Sequence, residues 1–101
     1  MTQLDRTVQK FVDALNANDA DAFFATLAED ASMSDDGNER DLAQWTESEI
    51  FSTHGRMKVE SVSAPTELVA DYSNDRWGGM RTAWRFTVRD GLISRFETGQ
   101  A

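Results

Sequence analysis

A regular spacing of apolar residues near the start of the chain restricts the fold more than any other feature. Apolar side chains recur at i, i+4, i+7, i+8 and i+11, at Leu4, Val8, Phe11, Val12 and Leu15. This spacing predicts an amphipathic helix over residues 3–17, whose polar side chains take the opposite face. The apolar stripe of such a helix has to be buried against another layer of the same domain.

The rest of the chain supplies two short helices and then a run of strands. Asn18 and Asp19 interrupt the first helix, and Asp19 and Asp41 are suited to cap the two helices that follow. The clearest strand alternates apolar with polar residues from Met80 to Arg89, and Asp90-Gly91 after it is a hairpin signal. The predicted elements after the first helix are helices over 20–27 and 42–51 and strands over 31–35, 57–63, 67–73, 80–89 and 92–98.

The composition limits the chemistry that is open to this chain. It has 101 residues, no cysteine, and 18 acidic against 10 basic side chains, which gives a formal charge of −8. We therefore expect a single domain over 1–101 without disulfides or thiolate metal sites. Such an acidic chain repels phosphate, so nucleic-acid binding is not expected. No apolar run approaches the ~20 residues that span a bilayer, and the first residues lack a signal-peptide core, so we expect a cytoplasmic protein without membrane contact.

Two segments resemble a known superfamily. The first 36 residues combine the long helix, the break at 16–19 and the run Leu-Ala-Glu-Asp-Ala-Ser-Met-Ser-Asp at 27–35, and the second segment is Trp-Arg-Phe-Thr-Val-Arg-Asp-Gly-Leu-Ile-Ser-Arg at 84–95. With the order of elements, they resemble the NTF2-like (SnoaL-like) superfamily, and the front segment is most similar to its ketosteroid isomerase branch. The resemblance implies an α+β cone, in which N-terminal helices pack in a curved antiparallel sheet and leave a pocket between them.

Asp35 is the first candidate for chemistry in that pocket, because it falls where the isomerase branch carries its general base. Its spacing is an independent reason: Met33 and Asp35 are two residues apart and share one face of a strand. The alternative is turn chemistry, since Asp35 precedes Asp36-Gly37-Asn38 and could cap the strand end or the next helix. The branch also uses a tyrosine on the first helix and a second acid, where this chain has Phe11 and Thr82. Each missing donor typically lowers the rate ~10²–10³-fold, so the resemblance argues against steroid isomerisation.

The predicted pocket is mostly apolar, which suits a small hydrophobic ligand with one polar group. Its lining is Phe11, Leu15, Phe23, Met33, Asp35, Trp45, Met80, Thr82 and Trp84. Two further polar side chains are weaker candidates. Tyr72 is the only tyrosine and would replace the missing donor if it reached the interior. His54 is the only histidine and would serve as a proton donor if its loop folded over the pocket. No motif for a metal, a phosphate or a nucleophile triad is present, so neither metal nor cofactor is expected.

The outward-facing residues of the sheet suggest a different use. Arg81, Arg85 and Arg89 form a basic row on one strand, and Asp71 and Glu67 on the preceding strand are suited to pair with it. An anionic-ligand site is the alternative. In the superfamily this outer face commonly forms a dimer interface, so the resemblance implies a homodimer through the sheet. Trp77, in the loop before the long strand, would close the mouth of the cone or pack against a second subunit.

Three functions remain open from the sequence, because this fold carries enzymes, binding proteins and assembly modules alike. The first is the binding of a small hydrophobic molecule in the cone. The second is a cofactor-free enzyme, such as a cyclase, isomerase or hydratase, with Asp35 as base. The third is a dimerisation module with a filled interior.

Overall fold

A computed structural model describes residues 2–76 and 78–101 of the chain. Helices and strands follow one another in the predicted order, with one additional short strand. The elements are α1 (Arg6–Asn16), α2 (Ala20–Ala25), β1 (Leu27–Asp35), β2 (Asn38–Arg40), α3 (Leu42–Thr46), a π-helix (Glu47–Phe51), β3 (Arg56–Ala64), β4 (Glu67–Asn74), β5 (Gly78–Arg89) and β6 (Leu92–Gln100).

Aspartate side chains begin all three α-helices. Asp19 and Asp41 cap α2 and α3 as predicted, accepting bonds from the backbone N–H groups of Ala22 and Gln44. Asp5 was predicted inside the first helix, but its carboxylate accepts from the N–H of Thr7 at 2.8 Å and so ends the helix there. The first helix is therefore shorter than predicted, because a cap satisfies its free N–H groups from the N-terminal side.

The sheet has six strands in the order β2-β1-β6-β5-β4-β3. All neighbours run antiparallel except β1 and β6, which are parallel and pair Met33 with Phe96 and Asp35 with Thr98. The sheet is therefore mixed at this one pair and antiparallel, as predicted, at the others. The cause is the topology of the sheet. β6 forms a hairpin with β5, and β1, from the N-terminal part of the chain, pairs with the other edge of β6. The α+β class is confirmed.

One face of the sheet is buried against the helices, and we call it the inner face. It presents Leu68, Ala70, Trp84, Phe86 and Phe96, all at most 3% exposed. The predicted stripe of α1 packs on this face. Phe11 stands at its centre, with ring centroids 4.6 Å from Phe23, 4.9 Å from Phe86 and 5.2 Å from Phe96. Burial of these rings makes a large favourable contribution to the free energy of folding.

The third predicted helix is present but changes character halfway. After α3 the chain continues as a π-helix, in which Ser52 N–H donates to the carbonyl of Glu47, five residues earlier. The wider turn places both Ile50 and Phe51 in the core. Within residues 2–76 and 78–101, no helix combines the length and the apolar character that crossing a membrane requires.

Candidate functional site

Asp35 lies near the end of β1, on the inner face and half-buried. Its Oδ2 accepts a hydrogen bond of 3.1 Å from the indole Nε1–H of Trp45. Its Oδ1 accepts no hydrogen bond from the side chains and backbone that the structure describes, and it is not sealed from solvent. The turn after β1 is formed by the next residue, Asp36, and not by Asp35. Asp36 has a positive φ of 50°, and its carboxylate accepts a hydrogen bond from the backbone N–H of Gln100. Asp35 itself therefore faces the helix that carries Trp45.

Trp45 is the residue that closes the interior over Asp35. It is 7% exposed and lies on the inner side of α3, with its ring centroid 6.2 Å from Phe96 and 6.5 Å from Trp84. Its indole thus contacts the aromatic core with its faces and edges while its N–H reaches the carboxylate. A buried indole needs an acceptor for its N–H, and the half-buried carboxylate meets that need.

Most of the predicted lining residues come together, but they pack on one another. Phe11, Leu15, Phe23 and Met33 are fully buried, and Trp84 is 2% exposed. The Trp84 ring stacks on Phe96 with centroids 6.0 Å apart. Grooves of 370–640 Å³ on the described surface are walled by side chains other than Asp35. The interior next to Asp35 is therefore occupied by aromatic rings.

Two lining residues on β5 have different surroundings. Thr82 is buried as predicted, and its Oγ1 accepts from Trp84 Nε1 at 2.8 Å and donates to the Ala70 carbonyl at 3.3 Å. Met80 is 41% exposed, so it does not line a closed interior. Alternation places Met80 on the same face as Thr82, but the strand end that carries it also exposes Gly78 and Gly79. The alternation of residues predicts which face of the strand a side chain is on, but it does not predict how much of the strand is covered by the helices.

Tyr72 points into the molecule, but its hydroxyl is already bound. It donates to the backbone carbonyl of Glu49 at 2.5 Å, and Asn74 Nδ2 and Thr53 Oγ1 donate to the same oxygen at 3.1 and 2.9 Å. We call this group the Glu49 carbonyl cluster. Burial raises the pKa of Tyr72 from 10.0 to about 12. The hydroxyl therefore stabilises the π-helix and does not face Asp35.

His54 lies on the surface after the π-helix. Its side chain is 66% exposed, and Nδ1 is 3.1 Å from Asp75 Oδ2, while the other carboxylate oxygen of Asp75, Oδ1, is 3.6 Å from the Arg56 guanidinium. Exposed pairs of this kind contribute little to stability. The described residues contain no cluster of metal-ligating side chains. Trp77, which we predicted at the mouth of the cone, lies outside the described residues.

The outer face of the sheet carries the predicted ion pairs in part. Arg85 pairs with Glu67 at 3.8 Å across β4 and β5. Arg81 stands opposite Asp71 in register but pairs with Glu60 of β3 at 3.2 Å. A groove of about 370 Å³ crosses this face. The long arginine side chain reaches past its direct neighbour, which register alone does not reveal.

Sequence reasoning missed two features of the site, the bond between Trp45 and Asp35 and the Glu49 carbonyl cluster. The first had a signal: a tryptophan on the buried side of a predicted helix needs an acceptor for its N–H, and Asp35 is the acid on the adjacent strand. The second had none, because the pattern of residues 42–51 predicts an ordinary helix and not a π-helix with an open carbonyl.

We compared the chain with known protein families, curated proteins and solved structures. No protein-family model and no curated protein matches the sequence. Solved structures do match. A candidate polyketide cyclase from Sinorhizobium meliloti is 25% identical with a TM-score of 0.78, over 94% of each chain. An NTF2-like protein of unknown function from Cytophaga hutchinsonii is 14% identical with a TM-score of 0.75, over 99% of this chain and 93% of that one.

A Δ5-3-ketosteroid isomerase from a Mycobacterium species is also similar. It is 20% identical with a TM-score of 0.70, over 91% of this chain and 88% of that one. These proteins share the order of helices and strands over nearly their whole length, although they differ in described role. The predicted resemblance to the NTF2-like (SnoaL-like) superfamily is thereby confirmed, and the chain has the α+β cone fold of that group.

Proposed function

We propose that this domain binds a small apolar molecule that carries one hydrogen-bond donor, and that Asp35 accepts that bond. The observation that supports the proposal is the half-buried carboxylate on the inner face, with Oδ2 bound to Trp45 and Oδ1 open. Around it, Trp84 and Phe96 offer flat apolar surfaces. A mostly apolar site with one polar group of fixed position is the usual composition of a small-molecule site.

Entry of a ligand requires Trp45 to move, because its indole fills the space beside Asp35. α3 is only five residues long and continues into a π-helix, so few regular hydrogen bonds hold this segment. The ligand's donor would replace the indole N–H on Asp35 Oδ2, and its apolar body would replace the indole ring against Phe96. The exchange conserves both the hydrogen bond and the buried apolar contact.

Binding ranks above catalysis because the described inner face has few donors to spare. The Trp84 indole donates to Thr82, Thr82 donates to Ala70, and Tyr72 donates to Glu49. An enzyme that used Asp35 as base would also have to stabilise the negative charge that develops on its substrate, and each such donor is typically worth ~10²–10³ in rate. The enzymatic alternative is sustained if a pH-dependent reaction is lost in Asp35→Asn.

A pair of matched probes tests the binding proposal: naphthol, which carries one hydroxyl donor, and naphthalene, which carries none. Naphthol is expected to shift the NMR resonance of the Trp45 indole N–H and to bind more tightly than naphthalene. Asp35→Asn should weaken naphthol about tenfold, since a hydrogen bond to a charged group contributes ~1.5–3 kcal/mol. Trp45→Phe keeps a ring, frees the carboxylate and should strengthen binding.

Two results would contradict the proposal. One is equal affinity of wild type and Asp35→Asn for naphthol. The other is the absence of any thermal shift with either compound, since a ligand at ~100 times its dissociation constant adds ~2.7 kcal/mol. The second result favours the module with a filled interior, which the ring packing around Phe11 also fits.

We also propose a homodimer through the outer face of the sheet. The groove on that face has small side chains in its wall, including Ser34, Ala83 and Gly99, together with the charged Glu67 and Arg85. Small residues allow two sheets to approach closely, and self-complementary charges suit a two-fold interface. Sedimentation should show a dimer that dissociates in Ala83→Glu, whose side chain is exposed in the single chain. A monomeric wild type at micromolar concentration would overturn this proposal.

A further inference from the structure

A second apolar surface lies apart from the inner face, in a groove between α2, the first half of β1 and the start of α3. Phe24, Leu27 and Leu42 are in its wall together with three alanines, and its volume is about 420 Å³. We call it the α2–α3 groove. Its volume lies within the ~300–1,000 Å³ of typical binding clefts, although the groove is open along one side.

Phe24 is a fixed apolar platform in this groove. It is 39% exposed, yet its ring centroid lies 5.4 Å from Phe23 and 6.1 Å from Phe51, which are both buried. One side of the ring is thus held by the core while the other faces solvent. A ring that is already ordered loses little conformational entropy on binding, which is why such aromatic residues serve as anchors in interfaces.

The charge around the α2–α3 groove has one sign. Glu29 and Asp41 are the charged residues in its wall. Asp21 lies one helical turn before Phe24 on the same side of α2, and the carboxylates of Asp21, Glu29 and Asp41 are all exposed. In the described part of the chain none of these three takes part in a salt bridge.

Several acidic residues of the sheet, by contrast, are paired with arginines. Glu60 and Glu67 pair with arginines of β5, and Glu39 pairs with Arg95. The acids beside the α2–α3 groove have no such cationic partner, so their negative potential attracts cations and raises the association rate of a basic partner.

We propose that the α2–α3 groove docks an amphipathic segment of a partner protein, whose apolar side chains pack on Phe24 and whose flanking Lys or Arg residues face the carboxylates of Asp21, Glu29 and Asp41. Charge decides between the possible occupants. Nucleic acids and anionic membranes are repelled by this surface. A second copy of the chain, with 18 acidic against 10 basic residues, offers few cations to this acidic border, whereas on the outer face arginines balance the acids. A basic amphipathic segment satisfies both the apolar floor and the acidic border.

A peptide of about four helical turns, built from leucine and lysine in amphipathic order, is a suitable probe. The matched peptide has glutamate in place of every lysine. In an NMR titration the lysine peptide should shift the amides of Phe24, Ala28, Leu42 and Ala43, and the glutamate peptide should shift none of them. Added salt should weaken the binding, because exposed charges are screened.

Matched variants separate docking from general attraction to an acidic protein. Phe24→Ala should weaken the lysine peptide at least fivefold, whereas Leu92→Ala, which truncates an equally exposed residue outside the groove, should not. Glu29→Gln and Asp41→Asn should each weaken binding roughly two- to fivefold, which is the size of effect expected for one surface charge. Asn at position 41 preserves the cap of α3, so this variant tests the charge alone. Asp90→Asn removes the same charge at a distant turn, where Asn tolerates the positive φ, and should have no effect.

Three outcomes would overturn the proposal. They are equal binding of the two peptides, equal loss of affinity in Glu29→Gln and Asp90→Asn, and shifts that map outside the groove. Concentration-dependent shifts of Phe24 and Leu42 without peptide would also overturn it, because they would identify a second copy of the chain as the occupant.

Discussion

The hydroxyl of Tyr72 is the sharpest place to test how the π-helix is held. In the Glu49 carbonyl cluster this hydroxyl, the Asn74 amide and the Thr53 hydroxyl donate to one backbone oxygen, at 2.5, 3.1 and 2.9 Å. The change Tyr72→Phe removes one donor and leaves the ring in the core, where the residue is 7% exposed. The oxygen that loses a partner keeps two others.

This redundancy sets the expected magnitude. Loss of a bond that leaves a buried group without any partner costs about 1–3 kcal/mol, whereas a typical net contribution is about 0.5–1.5 kcal/mol. Because the Glu49 carbonyl stays satisfied by Asn74 and Thr53, Tyr72→Phe should lower the free energy of unfolding by only about 1 kcal/mol. In a domain of this size that corresponds to a fall in Tm of about 4–8 °C.

A double-mutant cycle measures whether the donors share the acceptor. Urea unfolding of Tyr72→Phe, Thr53→Ala and the double variant gives the coupling free energy. We expect the double variant to lose more than the sum of the two single losses, because Asn74 is then the last of these three donors on the oxygen. A loss above about 3 kcal/mol in Tyr72→Phe alone, or strict additivity in the cycle, would refute the reasoning.

Three other perturbations have expected outcomes. Since burial raises the pKa of Tyr72 from 10.0 to about 12, the free energy of unfolding should be unaffected by this group below pH 10 and fall as the pH rises towards 12. Absorbance at the phenolate band follows this residue directly, because it is the only tyrosine, and Tyr72→Phe should lack this contribution to the fall. Gly55→Ala should destabilise, because its Cβ would meet the Tyr72 hydroxyl and lie 3.1 Å from Ile50 Cα; thermal unfolding should show a smaller loss when Tyr72→Phe is also present. Asp5→Ala should lower the free energy of unfolding by about 1 kcal/mol in urea, and Asp5→Asn by much less, because Asn retains the capping oxygen.

Each of these has an outcome that contradicts it. An alkaline titration of Tyr72 near pH 10 would mean that the hydroxyl is exposed to solvent. A neutral Gly55→Ala would mean that the Tyr72 ring moves without cost. Equal losses in Asp5→Ala and Asp5→Asn would mean that the carboxylate charge, and not the cap, holds the start of α1.

Elements with a strong local pattern were predictable from the sequence. The apolar stripe of α1 and the alternation in β5 each predict both the type of element and the face that is buried. In both elements the predicted face is the buried one. The caps Asp19 and Asp41 are also local signals. Asp5 was assigned to the helix body because its position fits the polar face, while its capping role depends on where the chain enters from, beside Pro65.

Features set by distant contacts were not predictable. Residues 38–40 form β2 because β1 offers an edge for a hairpin, although their composition indicates a turn. The parallel pairing of β1 with β6 depends on which edge of the sheet β1 joins. The alternation of apolar and polar residues does not indicate the direction in which a strand pairs. The exposure of Met80 depends on how far the helices extend over the sheet. The face on which Asp35 lies followed from its spacing to Met33, but its bond to Trp45 came from tertiary packing.

The position of β6 in the middle of the sheet has a consequence for biosynthesis. β1 has only the three-residue β2 as a neighbour until residues 92–100 have been made, and β5 lacks one of its two partners until then. Sheet closure thus waits for late translation, since contacts far apart in sequence form slowly. A ribosome stalled before that segment should hold an incomplete, protease-sensitive nascent chain, with β1 exposed to chaperones.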